Sequence, residues 1–310
     1  MLKLLADLSI VIMKFLNVDK IVMKKTLIAL SLCAFVSQSH AGIRQYQADL
    51  GSAKWQLTND SRLECTLSHQ IPNYGEAKFY SRANRNTNME FELDMLRLPD
   101  NYSLAQVKSV APNWKPGVAG RTLADMKLHK QFSPDLPKKV AWTMLSELEQ
   151  GMSPTFYYDD WYNDNDQITV GLSTSRFHKA YQDFVACVGN LLDYSFDDIA
   201  YTVLNFKFNS DEFTKASKRR IAMIREYLSL DTELELVLVD GFTDSYGWKS
   251  TNQKTSEKRA NKIRDYFIKY GIDAGRIEAK GYGEKRHIAS NETVLGRAKN
   301  RRVVIRMDKE

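Results

Sequence analysis

Apolar and polar residues alternate with a period of two through most of the stretch from residue 42 to residue 192. The alternation is visible in Arg62–Leu63–Glu64–Cys65–Thr66–Leu67, in Met89–Glu90–Phe91–Glu92–Leu93 and in Leu123–Ala124–Asp125–Met126–Lys127–Leu128. Successive side chains on a strand point to opposite faces, so each run predicts a strand with one face buried. Gly, Pro and Asn interrupt the runs, as in Ile71–Pro72–Asn73–Tyr74–Gly75, and mark turns. Two segments change to a helical period. Pro137 to Gln150 carries Val140, Ala141, Met144, Leu145 and Leu148 on one face and stops at Gly151; Ser175 to Leu192 does the same with Phe177, Ala180, Tyr181, Phe184, Val185 and Val188. The pattern predicts a mainly antiparallel β domain, sandwich or barrel, with two helices packed on it.

After a short candidate linker at 193–198 the pattern changes again. Leu234 to Val239 is short, apolar and β-branched, which predicts a buried strand, and a Gly-flanked turn follows it. Ser256 to Tyr270 then places Ala260, Ile263, Phe267 and Ile268 on one stripe of a helix. The fold class is therefore α+β, with boundaries expected at 42–192, 193–198 and 199–310.

The first 41 residues have a different logic. From Met23 the chain reads Lys24–Lys25, an apolar run from Thr26 to Val36, then Ser39–His40–Ala41. That is the plan of a secretory signal peptide cleaved after Ala41, with Met23 as the expected start and 1–22 as an upstream extension. The residues before Cys33 are Leu30–Ser31–Leu32. A lipidated cysteine follows a small residue, so Cys33 is expected to leave with the signal. Cys65 and Cys187 remain. An even pair in an oxidising compartment reads as one disulfide, the alternative being two separate buried thiols.

Charge divides at the same boundary. Residues 42–198 carry a net −4 and residues 199–310 a net +7. A basic C-terminal half suits a carboxylate-rich polymer. Nucleic acid is the rival partner for a basic domain, and export removes it from reach. Catalytic chemistry is hard to find. Asp159, Asp160, Asp164 and Asp166 cluster between aromatic residues but lack the Gly and closing Glu of a calcium loop, and read as a solvated hairpin turn. His69, His129, His178 and His287 show no metal-ligand spacing, both cysteines are committed, and no cofactor motif is present. The aromatic run Phe156 to Tyr162 reads as strand edge and core. Gly281–Tyr282–Gly283 is a bend and not a phosphate loop, because no Lys-Ser/Thr follows it. The expectation is a protein without an enzymatic, metal or cofactor site.

Candidate binding chemistry gathers around the C-terminal turn. Val239–Asp240–Gly241–Phe242–Thr243–Asp244–Ser245–Tyr246–Gly247 puts Asp244 at a strand-to-helix turn, and Arg259 lies fifteen residues on. Asn252, Ser256 and Arg259 share a face if the helix begins early enough. A carboxylate and a guanidinium held apart suit a ligand bearing both an ammonium and a carboxylate. Alternatively, Asp244 and Arg259 pair with each other, or Asp244 caps the helix.

Gly-Phe-Thr-Asp-Ser-x-Gly at 241–247, Asn252, Ser256-x-x-Arg259-Ala260, Gly281-Tyr-Gly-Glu284 and Gly296-Arg-Ala-x-Asn-Arg-Arg-Val303 come in that order. Together they resemble the OmpA C-terminal family of peptidoglycan-binding domains, over about residues 199–308. The resemblance implies a β/α sheet domain whose ligand is the diaminopimelate-bearing stem peptide. Asp244 would then take the diaminopimelate ammonium and Arg259 its carboxylate, with Thr243, Asn252 and Arg301 in support. The family usually has His where Phe242 stands and Leu where Thr255 stands; neither departure touches the Asp–Arg pair. The whole-chain plan also resembles a family of periplasmic T-ring proteins of the sodium-driven polar flagellar motor. That resemblance implies a non-enzymatic anchor whose N-terminal domain binds the basal body and a MotX-like protein, helping stator units of the PomA/PomB type assemble. A general envelope tether with another partner, or a wall-targeted hydrolase, are the alternatives.

Overall fold

The computed structural model describes residues 42–308 apart from 113, 208–211 and 235. The signal peptide, its cleavage point, the 1–22 extension and Cys33 lie outside the described residues. The alternating runs form ten strands: β1 Ile43–Gln47, β2 Trp55–Asp60, β3 Glu64–Ile71, β4 Gly75–Arg82, β5 Glu90–Met95, β6 Ser103–Val110, β7 Arg121–Leu128, β8 Asp135–Leu136, β9 Ser153–Asp160 and β10 Asn163–Gly171. They build two five-stranded sheets, ordered β1-β10-β9-β6-β7 and β2-β3-β4-β5-β8. All pairings are antiparallel except β1 on β10. The sheets bury one shared core, in which Phe91 of the second stacks on Phe156 of the first with ring centroids 5.5 Å apart. The expected sandwich is what forms, because each run hides only one of its two faces.

Helices α1, Lys138–Glu149, and α2, Phe177–Gly189, follow their predicted spans to within two to three residues. Both contribute buried apolar residues to the same core. A disulfide joins Cys65 of β3 to Cys187 of α2, with Cα atoms 6.0 Å apart. The acidic hairpin differs from expectation. Asp160 is buried, not solvated, and pairs with Arg44 of β1, which also reaches Asp166 at 3.0 Å. A carboxylate at the rim of a core needs such a cation, and the edge strand supplies it.

One buried polar residue in this sandwich makes it acid-sensitive. The His69 ring stacks on Trp55 with centroids 4.4 Å apart. Its Nδ1 lies 2.8 Å from the Lys54 carbonyl oxygen and its Nε2 accepts the Ser173 N–H at 3.2 Å. The ring is therefore neutral, Nδ1 carries the proton, and a second proton would turn Nε2 from acceptor to donor against an N–H. Burial pushes the His69 pKa down to about 4. An unfolded histidine takes its proton near 6.5. Stability is thus intact above about pH 6.5 and falls as pH drops toward 4, by up to about 3 kcal/mol. Chemical denaturation across that window should show the loss, and His69→Gln should flatten the curve there. An identical pH slope in the variant would assign the acid sensitivity to other groups.

The second core is built on a four-stranded sheet ordered β11-β14-β12-β13: β11 Tyr201–Asn205, β12 Leu236–Gly241, β13 Ile277–Gly281 and β14 Arg302–Asp308. Strand β14 runs antiparallel to β11 and β12, and β13 runs parallel to β12. A parallel neighbour requires a crossover, and the long helix between β12 and β13 provides it. Helices α3, Asp197–Ala200, α4, Lys215–Leu230, α5, Lys249–Lys269, and α6, Val294–Asn300, complete this half. Ile221, Ile224 and Leu228 of α4 and Ala260, Ile263 and Phe267 of α5 pack with Val237, Val239 and Ile305 of the sheet.

The stretch 193–198, expected as a linker, is packed. Tyr194 is buried in the second core, and its hydroxyl donates to the Met223 carbonyl at 3.1 Å. Leu63 and Ala83, from the turns at the end of the β3–β4 hairpin, join that same core. Arg62 pairs with Glu226 at 2.5 Å and Arg85 with Asp198 at 2.5 Å. The two halves therefore meet over both apolar and ionic contacts.

Candidate functional site

The turn after β12 is positioned by close backbone contact. A Cβ on Gly241 would lie 2.1 Å from the Ser256 carbonyl oxygen, and one on Gly281 would lie 2.4 Å from the Glu257 nitrogen. Only glycine lets α5 come this near both parallel strands. Ser256 completes the joint: its hydroxyl accepts the Gly283 N–H at 2.8 Å and donates to the Gln253 carbonyl at 2.7 Å. Backbone bonds from Phe242 to the Arg302 carbonyl, 2.9 Å, and from Thr243 to the Gly283 carbonyl, 2.8 Å, hold the turn between β14 and the Gly281–Gly283 bend.

Helix α5 begins at Lys249, seven residues earlier than the sequence pattern suggests. The apolar stripe starts late because the first two turns bury polar residues. Asn252, Ser256 and Arg259 consequently share the buried face. Asn252 donates to Glu284 at 3.0 Å, so the acidic residue of the Gly-Tyr-Gly-Glu motif belongs to the site although the motif alone assigned it no task.

Asp244 and Arg259 are both buried, 8% and 7% exposed. Asp244 does not cap α5; the N-cap position is Trp248 and makes no side-chain cap bond. The cationic neighbour of Asp244 is Arg301, whose Nη1 donates to Oδ2 at 2.6 Å. Its Oδ1 accepts the Tyr246 N–H at 3.1 Å, which closes the loop on itself. Arg259 lies with its guanidinium 4.6 Å from the Phe206 ring centroid, and its Nη1 reaches the Phe242 carbonyl oxygen at 3.4 Å. It also lines a surface groove of about 490 Å³ with Lys258, Asn261, Lys262 and Asp265. Thr243, immediately before Asp244 in sequence, is buried, and its hydroxyl has no hydrogen-bond partner among the described residues.

Arg301 was expected only in support, and its role as the carboxylate's clamp comes from α6 ending beside the turn. Asn300, fully buried, sets that ending: its carboxamide accepts from Ile288 and Ala289 N–H and donates to the Ala289 carbonyl and to Asn291 Oδ1. Asn291 in turn accepts the Ser245 N–H at 3.3 Å. Phe242, where a histidine was expected from the family pattern, is held by stacking. It lies against Tyr282 with centroids 5.4 Å apart and under the Arg302 guanidinium at 4.0 Å. The site thus keeps an acidic group on the turn after β12 and a guanidino group on the buried face of α5, each held by its own contacts. Among the described residues no group of three His, Cys, Asp or Glu side chains could hold a metal, and no helix is long and apolar enough to cross a membrane.

Comparison with known proteins divides the chain in the same order. Residues 46–193 match the MotY N-terminal domain family, and residues 205–301 match the OmpA family. The sodium-type flagellar protein MotY of Vibrio parahaemolyticus is 41% identical over 278 residues, covering 90% of this chain and 94% of that protein. The outer membrane porin F of Pseudomonas aeruginosa is 39% identical over 120 residues, covering 36% of this chain and 33% of its own. The outer membrane protein A of Bordetella avium is 47% identical over 73 residues, covering 24% and 38%.

Proposed function

The chain belongs to the MotY family of sodium-type flagellar proteins, and from that premise we propose that it anchors the T ring and stator of a polar flagellar motor to peptidoglycan. The family is one of motor components and not of enzymes, and its place is the periplasmic side of the envelope. The C-terminal half binds the diaminopimelate end of the stem peptide. The Asp244 carboxylate accepts from the ligand ammonium, and the Arg259 guanidinium holds the ligand carboxylate through paired N–H donors. Arg301 orients Asp244, Asn252 with Glu284 fixes the start of α5, and Thr243 offers a buried hydroxyl to the ligand.

The N-terminal sandwich, residues 42–192, binds the basal body and a MotX-like protein, and through them PomA/PomB-type stator units. The observation that carries this reading is a buried Asp244 on the turn after β12 and a buried Arg259 on α5, each with contacts of its own, in an OmpA-type domain joined to a MotY-type N-terminal half. The net +7 of residues 199–310 supports it, since it raises the local concentration of an anionic polymer. A strain lacking the protein should assemble flagella that do not rotate, and the full-length chain should restore swimming. Normal motility in the deletion strain would end the motor assignment and leave a general envelope tether.

A further inference from the structure

The N-terminal sandwich carries a second, unassigned groove of about 570 Å³ on the outward face of the β1-β10-β9-β6-β7 sheet. That volume is in the range of small-molecule sites. One rim is the loop after β1, with Asp49 and Leu50; the other is the loop after β6, with Trp114. Trp114 is 56% exposed and Leu50 equally so, which leaves an indole face at the mouth.

The floor is polar and almost uncharged. Gln45 and Gln47 of β1 and Thr169 of β10 line one side. From β9, the alternating residues Ser153, Thr155 and Tyr157 line the other, while Phe156 and Tyr158, on the opposite face of the strand, lie in the core. Ser153 is only 4% exposed, and its hydroxyl has no hydrogen-bond partner among the described residues. A buried hydroxyl without a partner costs free energy, and this one borders open space that a ligand can fill.

We propose that this groove binds a neutral oligosaccharide, specifically an N-acetylated amino-sugar strand. Carboxamides and hydroxyls both donate and accept, which matches vicinal sugar hydroxyls and acetamido groups. Indole faces stack on pyranose C–H surfaces through the same dispersion and electrostatic attraction that favours other aromatic contacts. The lining residues include one carboxylate, Asp49, and no lysine or arginine, and Lys108 on the same face sits with its Nζ 5.1 Å from the Tyr157 ring centroid, so the lining favours a neutral occupant over an anion. An extended peptide gains affinity from unpaired backbone at a sheet edge, whereas the floor of this groove is formed mainly by interior strands whose backbone is already paired. The identification of that sugar strand with the glycan of peptidoglycan rests on the wall-binding reading above; the affinity for the sugar does not.

The probe is chitotetraose, a soluble oligomer that carries no stem peptide. Titrated into the full-length mature protein, it should give saturable binding with a change in tryptophan fluorescence. Trp114→Ala and Gln47→Ala should each weaken that binding tenfold or more with unchanged circular dichroism. Asp244→Asn should leave it within twofold of wild type, so a failure at the stem-peptide site is read separately. Absence of saturable binding at millimolar chitotetraose would overturn the proposal, as would equal affinity in the wild type and both groove variants. Loss of a protein partner in Trp114→Ala, in a chain that ignores the saccharide, would assign the groove to protein contact instead.

Discussion

Arg259→Lys and Asp244→Asn should each abolish co-sedimentation with isolated sacculi while the domain stays folded. The reason for choosing conservative variants lies in the surroundings. Arg259 is packed over Phe206, and Asp244 is clamped by Arg301 and the Tyr246 N–H, so truncation to alanine would mix binding loss with repacking. Lysine keeps the charge and loses the planar fork that grips a carboxylate with two parallel bonds. Asparagine keeps the shape and loses the charge that an ammonium seeks. Removing one side of a buried, charge-paired contact costs about 2–5 kcal/mol, hence at least about a thirtyfold weaker association in either variant. The measurement is the bound fraction against sacculus concentration, with thermal unfolding as the folding control. Retention at wild-type level in both variants would remove the stem-peptide reading.

Breaking the Cys65–Cys187 bridge produces the largest effect expected on stability. The bridge closes a loop of 122 residues, and the chain-entropy account puts a loop of that length near 5 kcal/mol, with native single-disulfide losses of about 2–5 kcal/mol. It also ties α2 to β3, so its loss frees one helix from the face that covers the sandwich. For a chain of 310 residues the corresponding fall in Tm is about 3–8 °C. Cys65→Ser and Cys187→Ser should show it equally, and dithiothreitol should bring the wild type to the same value. A Tm that neither the variants nor the reductant moves would mean that the sandwich core alone carries the stability.

How far the site could be read beforehand differs from residue to residue. Asn252, Ser256 and Arg259 are recognisable because helical spacing is local, and a start only seven residues earlier was enough to bury all three. The clamp on Asp244 was not readable. Arg301 stands 57 residues away in sequence; the family resemblance named it in support, but spacing alone does not rank it above Arg297 or Arg302 as the partner of Asp244. Antiparallel pairing of β14 with β12 makes that choice, since it brings the end of α6 to the mouth of the β12 turn. The acidic hairpin failed for the same reason: Asp160 looked solvated until β1, more than a hundred residues earlier, laid Arg44 across it.

What the sequence determined by itself is whatever repeats at short range or is counted. Period-two runs specify strands, the stripe of Ala260, Ile263 and Phe267 specifies a helix, and Cys65 with Cys187, read as lying in an oxidising compartment, specify one bridge. Tertiary structure decided which charges meet, which polar groups are buried, and where the halves touch. Ion pairs and desolvation depend on distances between segments far apart in the chain, and those distances exist only once the sheets have closed over their cores.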